Sequence, residues 1–419
     1  MKKTHILFGF LFVILFSACD FDASRFVSYQ INEPVVMSLT EFRNSVQIGE
    51  ARNLTSIGKI CSYNGYLYIS DIRKGIYVID NQNPTRPKIK SYIELQGNTD
   101  LCIHNDRLYA DAWIDLVWFN LSNPVEPQLD GRLPNAFPEV LPEITNNHPY
   151  DYELVSAAKQ NGIVVGWELK TYEKKEPPVS SNKKTGLKSH FGLIEDYLYV
   201  ISYSKMYFVD LSANIPVMQD NKIIPDVETI YPYKNNLFLG MPSEMSIYSL
   251  EDLLNPTYTS SIPDLFGCNP IVVSDDFVYA TIRSGNFCGQ ANNELLVIDV
   301  SNIEKPKPSV SYEMKNPKGL SIDKNLLFLC DNGLKIFKLD NPQAFINDNS
   351  SFCFFDEEPL INSYDVIPWH SLNDRRHEES ILIMVSDNGL YQYDYSGVFS
   401  SKKIRLLSVI PVEKQETHL

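Results

Sequence analysis

The sequence is poor in the residues that usually announce chemistry. Seven histidines, seven cysteines and four tryptophans are spread over 419 residues. No G-x-S-x-G, H-E-x-x-H, C-x-x-C or glycine-rich phosphate loop occurs, so the hydrolases, metalloproteases, dithiol redox proteins and nucleotidases built on them are not expected. Basic residues are also scarce, with 37 Lys and Arg against 52 Asp and Glu and a formal charge of -15. That balance argues against nucleic acid and against a basic membrane-binding face. Past the first twenty residues no apolar run approaches the roughly 18 residues of a spanning helix. Aromatic residues are plentiful, with 24 Tyr and 22 Phe, and these favour strands over helices.

The amino terminus reads as an export signal. Lys2 and Lys3 supply the positive end, and Ile6 to Phe16 is an apolar stretch too short to cross a bilayer comfortably. Phe16-Ser17-Ala18-Cys19 resembles a bacterial lipobox, with Phe where Leu is usual. Such a box implies cleavage after Ala18 and attachment of a diacylglycerol and an N-acyl lipid to Cys19. Each buried CH₂ of those chains contributes about 0.8 kcal/mol, so two or three chains anchor stably. Loss of Lys2 and Lys3 takes the formal charge from -15 to -17. Residues 1–18 are read as signal peptide, 19–34 as a tether, and 35–56 as a lead-in segment with a short helix opened by the capping box Ser38-Leu39-Thr40-Glu41.

Seven copies of a two-strand unit follow. The first run of each is "YLYISD" at Tyr66, "RLYADA" at Arg107, "YLYVIS" at Tyr197, "NLFLGM" at Asn236, "FVYATI" at Phe277, "LLFLCD" at Leu326 and "LIMVSD" at Leu382. The second runs are "GIYVID", "DLVWFN", "KMYFVD", "MSIYSL", "LLVIDV", "GLKIFK" and "GLYQYD". Successive copies are 41, 90, 39, 41, 49 and 56 residues apart. A period near 40 with several short strands per unit points to a β-propeller. The strands are apolar on both alternating faces, so each sheet needs a neighbour above and below. Turn chemistry agrees: Gly75 offers a positive φ between two strands, and Asp80-Asn81-Gln82-Asn83-Pro84 ends the third strand of its unit. The expected fold is all-β, a propeller of seven four-stranded blades over 57–412, with eight as the alternative. The long second step is read as a mobile excursion at about 137–188, and 413–419 as a tail.

Repeats of the form "LYVAD…GL-V-IDVSNP-NP", seen here as "YVIDN" and "LVIDVSN", resemble the LVIVD-repeat family of bacterial β-propellers. The likeness covers about 57–411. "EPVVMSLTEFRNSV" and "CNPIVV…NFCG…NNELLVIDVSN" are similar to lipoproteins of that family from Bacteroidetes-type bacteria. The resemblance implies a fold and a place on the cell envelope far more than an activity.

Candidate sites follow from the repeat. With each unit's first strand in register, Lys59, Asp100, His190, Thr229, Asn269, Lys318 and Asp365 fall near the mouth of a central channel. This ring is mixed in sign and lacks the converging carboxylates or histidines of a metal centre, so no metal and no cofactor beyond the lipid is expected. Cys268 and Cys288 flank one hairpin unit and are the candidate disulfide in an oxidising compartment. Cys61 and Cys102 occupy equivalent repeat positions and read as buried free thiols, whereas Cys330 with Cys353 is left open. Trp113, Trp369, Phe354 and Phe355 are candidate aromatic anchors at a protein interface. The functional expectation is a non-enzymatic, lipid-anchored interaction platform or accessory subunit of the bacterial outer membrane, partnered by another envelope protein and facing either side. The alternative is a propeller hydrolase, lyase or glycan-binding protein that uses the channel mouth.

Overall fold

The computed structural model describes residues 27–174, 180–181, 185–224, 227–241, 243–263, 270–285, 292–342, 361–372, 378–401 and 403–413. The expected signal peptide, Cys19, Cys268, Cys288, Asn269, Cys353, Phe354 and Phe355 lie outside them.

The chain begins with β1 (Val27–Met37), α1 (Leu39–Asn44) and β2 (Gln47–Glu50). Seven antiparallel sheets follow, one for each copy of the repeat. The first contains β3 (Ile60–Tyr63), β4 (Tyr66–Asp71), β5 (Gly75–Asp80) and β6 (Lys88–Glu94), with β2 added at its outer edge. The second holds β7 (Leu101–His104), β8 (Arg107–Ala112), β9 (Asp115–Asn120) and β10 (Gln128–Leu133). Between the second and third come β11 (Tyr150–Asp151), α2 (Tyr152–Asn161), β12 (Ile163–Lys174) and β13 (Ser180–Ser181). The third is β14 (His190–Ile194), β15 (Tyr197–Ser202), β16 (Lys205–Asp210) and β17 (Val217–Ile223). The fourth is β18 (Thr229–Tyr233), β19 (Asn236–Gly240), β20 (Glu244–Ser249) and β21 (Thr257–Pro263). The fifth is β22 (Ile271–Ser274), β23 (Phe277–Ile282), β24 (Glu294–Asp299) and β25 (Lys307–Glu313). The sixth has three described strands, β26 (Pro317–Asp323), β27 (Leu326–Asp331) and β28 (Leu334–Lys338). The seventh is β29 (Ser363–Leu372), β30 (Glu378–Ser386), β31 (Gly389–Asp394) and β32 (Arg405–Pro411), with the short α3 (Val398–Ser401) before its last strand.

This is an all-β, propeller-like fold. The two central strands of each sheet are buried on both faces, as their doubly apolar runs require: Leu67, Ile69, Ile76 and Val78 have no exposed surface. Each such side chain contributes about 1.5–3 kcal/mol on burial. Neighbouring sheets share apolar layers, and one buried cluster joins Leu67, Ile69 and Ile79 of the first sheet to Ile381, Ile383, Leu390 and Ile410 of the seventh. The outer strands β10, β17 and β25 are largely exposed and polar, as edges should be.

The registers define two faces. Asp71 pairs with Gly75, which pairs with Glu94, and Ser70 N–H donates to Lys59 O at 2.9 Å. Lys59, the turn from the second strand to the third, and the end of the outer strand therefore lie together. We call this the upper face. The hairpins from first to second strand and the Asn-Pro turns after the third strand form the lower face.

Several expectations need correction. The stretch read as tether includes Val27–Pro34, which is strand: β1 pairs antiparallel with β12 from Val27↔Lys174 to Met37↔Ile163. The stretch read as a mobile loop contains α2 and β12, with Leu141, Tyr150, Val155, Ala158 and Val164 forming a small core of their own. An eighth sheet exists, but it is assembled from β12, β1, β11 and β13, includes a parallel pair, and does not copy the repeat. Gly75 does not adopt positive φ; Arg73 does, at 66°. Glycine is needed at 75 for space, because a Cβ there would lie 2.2 Å from Ile93 O. The N-cap half of the expected capping box forms, with Ser38 Oγ accepting from Glu41 N–H at 3.2 Å.

Candidate site at the channel mouth

The first residues of the inner strands bring charges from four sheets together at the upper face. Lys59 stands just before β3 in the first sheet, Asp100 before β7 in the second, His190 opens β14 in the third, and Asp365 lies in β29 of the seventh. Lys59 is exposed by surface area although protein surrounds it closely. The Asp100 carboxylate, and to a smaller extent Asp365, hold its ammonium above the usual lysine range against the opposing effect of burial. Burial raises the Asp100 carboxyl; Lys59 and the backbone N–H groups of Phe191 (3.0 Å) and Leu101 (2.7 Å) pull it back. Asp365 is likewise raised by burial, with Val366 N–H at 2.9 Å and Lys59 opposing. His190 is pushed down to about 4, first by burial and then by the Lys59 and Lys188 charges, so its imidazole is neutral at ordinary pH. A cavity of about 340 Å³ opens beside it, bounded by Lys188, Tyr203, Val227 and Glu228.

Thus Lys59, Asp100, His190 and Asp365 converge. Thr229 opens β18 with its Oγ1 buried and without a hydrogen-bond partner. Lys318 belongs to a different group: its ammonium donates to Asn362 Oδ1 at 2.5 Å, and Arg283, Asp387 and Cys330 are its charged or ionisable neighbours. A register shift between Pro317 and Leu320 accompanies this departure, as an irregularity that re-aims a side chain does. Asn269 is outside the described residues. Among those residues no group of three or more His, Cys, Asp or Glu is placed to hold a metal ion.

Sequence reasoning missed the carboxylates that support this rim. Asp111, buried in β8, accepts from Thr99 N–H (2.7 Å), Thr99 Oγ1 (2.5 Å), Asp100 N–H (2.9 Å) and Asn98 Nδ2 (3.1 Å). It therefore fixes the loop that carries Asp100. Asp71 accepts from Ser56, Tyr77 and Tyr92 hydroxyls, and Asp331 from Lys315 N–H, Asn316 N–H and Lys335 Nζ. The signal was available: an acid recurs at the end of the second strand in "YLYISD", "RLYADA" and "LLFLCD". Buried Asp115 accepts from Arg43 Nε at 3.0 Å, Arg132 Nη1 at 2.9 Å and Asn135 N–H at 2.7 Å, clamping α1 to the second sheet.

Two proposed anchors are not exposed. Trp113 is 5% exposed, with the Arg73 guanidinium 5.1 Å from its ring centre. Trp369 is 8% exposed and packs in the layer between the first and seventh sheets. Both bury their rings within the fold, so neither offers a surface to a partner. Cys61, Cys102 and Cys330 are free thiols; Cys61 donates to Leu101 O at 3.2 Å, and burial pushes its thiol up to about 12.

No family model and no curated protein matches the chain. Among solved structures it is similar to the computationally designed Ika8 protein, with a TM-score of 0.49, 8% identity, and 88% of this chain and 92% of that one covered. It is also similar to a functionally unknown protein from Desulfotomaculum acetoxidans DSM 771, with a TM-score of 0.48, 9% identity and coverage of 87% and 100%. The N-terminal domain of Nup159 is a third, with a TM-score of 0.44, 9% identity and coverage of 87% and 93%.

Proposed function

We propose that the protein is a seven-bladed propeller, acylated at Cys19, that serves as a non-enzymatic interaction platform or accessory subunit on the bacterial outer membrane. The lipobox and the LVIVD-like repeats support the anchor and the setting. The observation that carries the platform reading is on the outer edge of the third and fourth sheets. Ile215 is 68% exposed and Tyr258 57%, with Val217 and Leu254 also exposed. Lys222 of β17 donates to Pro256 O at 2.9 Å just before β21, so the two edges adjoin. We read these exposed apolar side chains on an otherwise polar rim as a contact surface. At the mouth, by contrast, Asp100 and Asp365 accept from backbone N–H groups and lie within the electrostatic reach of Lys59.

The test is co-purification from envelope solubilised in mild detergent, with the unchanged chain and an Ile215→Asp/Tyr258→Asp variant. The platform reading expects a partner in near-stoichiometric yield that the variant loses. Recovery of the unchanged chain alone counts against it.

A further inference from the structure

We infer that the upper face is turned toward the lipid surface, with the β1–β12 ribbon as the membrane-proximal element, so that the lower face is the one held out to partners. This rests on the reading of Cys19 as the acylated residue.

Seven residues lie between Cys19 and Val27, where β1 begins, so the link is eight Cα-to-Cα steps. Fully extended they reach at most about 28 Å. The start of β1 is therefore the point of the described fold tied closest to the bilayer. From there β1 runs through eleven residues paired with β12, a ribbon of about 36 Å. Its root is on the upper face. Trp167 Nε1 donates to Pro142 O at 2.9 Å, and the adjacent Leu141 N–H donates to the hydroxyl of Tyr203, in the upper-face turn of the third sheet, at 2.8 Å. Arg73, in the upper-face turn of the first sheet, donates to Gly186 O at 2.7 Å. Next along the chain, α1 is clamped by Arg43 to Asp115, also at an upper-face turn.

The chemistry of the far end agrees. Tyr29 and Tyr172 stack there with ring centres 5.8 Å apart, and the Tyr172 hydroxyl donates to Glu33. Lys170 lies within 3.2 Å of both Glu33 and Glu168, and Glu33, Glu168 and Glu173 against Lys170 and Lys174 leave the ribbon only one net negative charge. A six-residue strand spans about 20 Å. Placing the lower face on the bilayer would use most of the available reach and lay the connecting chain along the side of the disc.

The test uses the full acylated chain in vesicles of phosphatidylethanolamine and phosphatidylglycerol. A fluorophore is attached at Ser28→Cys on the ribbon or at Ile215→Cys on the lower face, with Gln30→Cys and Leu254→Cys as a second pair. The unsubstituted chain, labelled alike, supplies the background. Head-group nitroxide lipids should quench the ribbon labels several-fold more than the lower-face labels. Equal quenching, or stronger quenching at 215 and 254, overturns the orientation. Mass analysis of the N-terminal peptide reports separately on the anchor: a Cys19 without acyl chains removes the premise, whereas an acylated Cys19 with reversed quenching overturns the orientation alone.

Discussion

Replacing Lys59 by methionine isolates the electrostatics of the channel mouth. Methionine keeps much of the stem and removes the ammonium, leaving Asp100 and Asp365 facing each other's environment without their shared cation. Lys59 is exposed, and solvent screens its pull on the two carboxylates, so the expected loss is about 1 kcal/mol. For a fold of this size that is a fall in Tm of about 1 °C. The loss must also depend on pH. Both carboxyls already sit above their ordinary range because of burial, and Lys59 opposes that rise in each; without it they rise further. A carboxyl whose folded pKa exceeds its unfolded value binds more protons in the folded state, so stability falls as pH rises between the two. The deficit of Lys59→Met is therefore largest at neutral pH and shrinks as pH falls toward about 4, the unfolded aspartate value. Urea unfolding at pH 7 and pH 4.5, with Asp100→Asn and the double variant, checks this. A deficit equal at both pH values, or strict additivity in the double variant, would refute the coupling.

Three further outcomes are expected. Asp115→Ala strands Arg43 and Arg132, whose side chains are 30% and 13% exposed; a loss of about 3 kcal/mol in urea unfolding should come with faster hydrogen exchange across Leu39–Asn44. His190 has its folded pKa depressed from 6.5 to about 4, so its contribution is present above pH 6.5 and lost as pH falls through that window; His190→Gln should flatten that part of the stability–pH curve. Gly75→Ala drives a methyl against Ile93 O and the Tyr92 ring and should cost about 1–3 kcal/mol, whereas Gly49→Ala, whose added Cβ meets Tyr92 O at 3.9 Å, should stay within about 0.5 kcal/mol of the unchanged chain by thermal melting.

The repeat sheets were legible because their strands are doubly apolar, and that pattern has few solutions other than stacking. Placing the inner strands in register was enough to bring Lys59, Asp100, His190 and Asp365 to one place. Lys318 escaped that logic because an irregularity at Pro317–Leu320 breaks the register, and an irregular pairing leaves no mark in a single sequence. The β1–β12 ribbon was missed for another reason. "SYQINEP" is polar, and its partner lies some 140 residues away, so only tertiary pairing makes it a strand. Trp113 looked like a loop aromatic because it occupies a turn, at φ 47°. Its burial depends on Arg73 and on chain folded over it from elsewhere, which local composition does not report.

The layer shared by the first and seventh sheets has a consequence for biosynthesis. Asn81 and Gln392 exchange amide hydrogen bonds at 2.8 Å, Ser408 Oγ donates to Pro84 O at 2.6 Å, and Leu54 bridges Val412. A ribosome that has released only the first six copies has made a chain whose leading flank, with Leu67, Ile69 and Tyr77, still waits for the cover that the seventh copy supplies. Truncated products should therefore be caught by chaperones or proteases rather than accumulate as smaller versions of the fold.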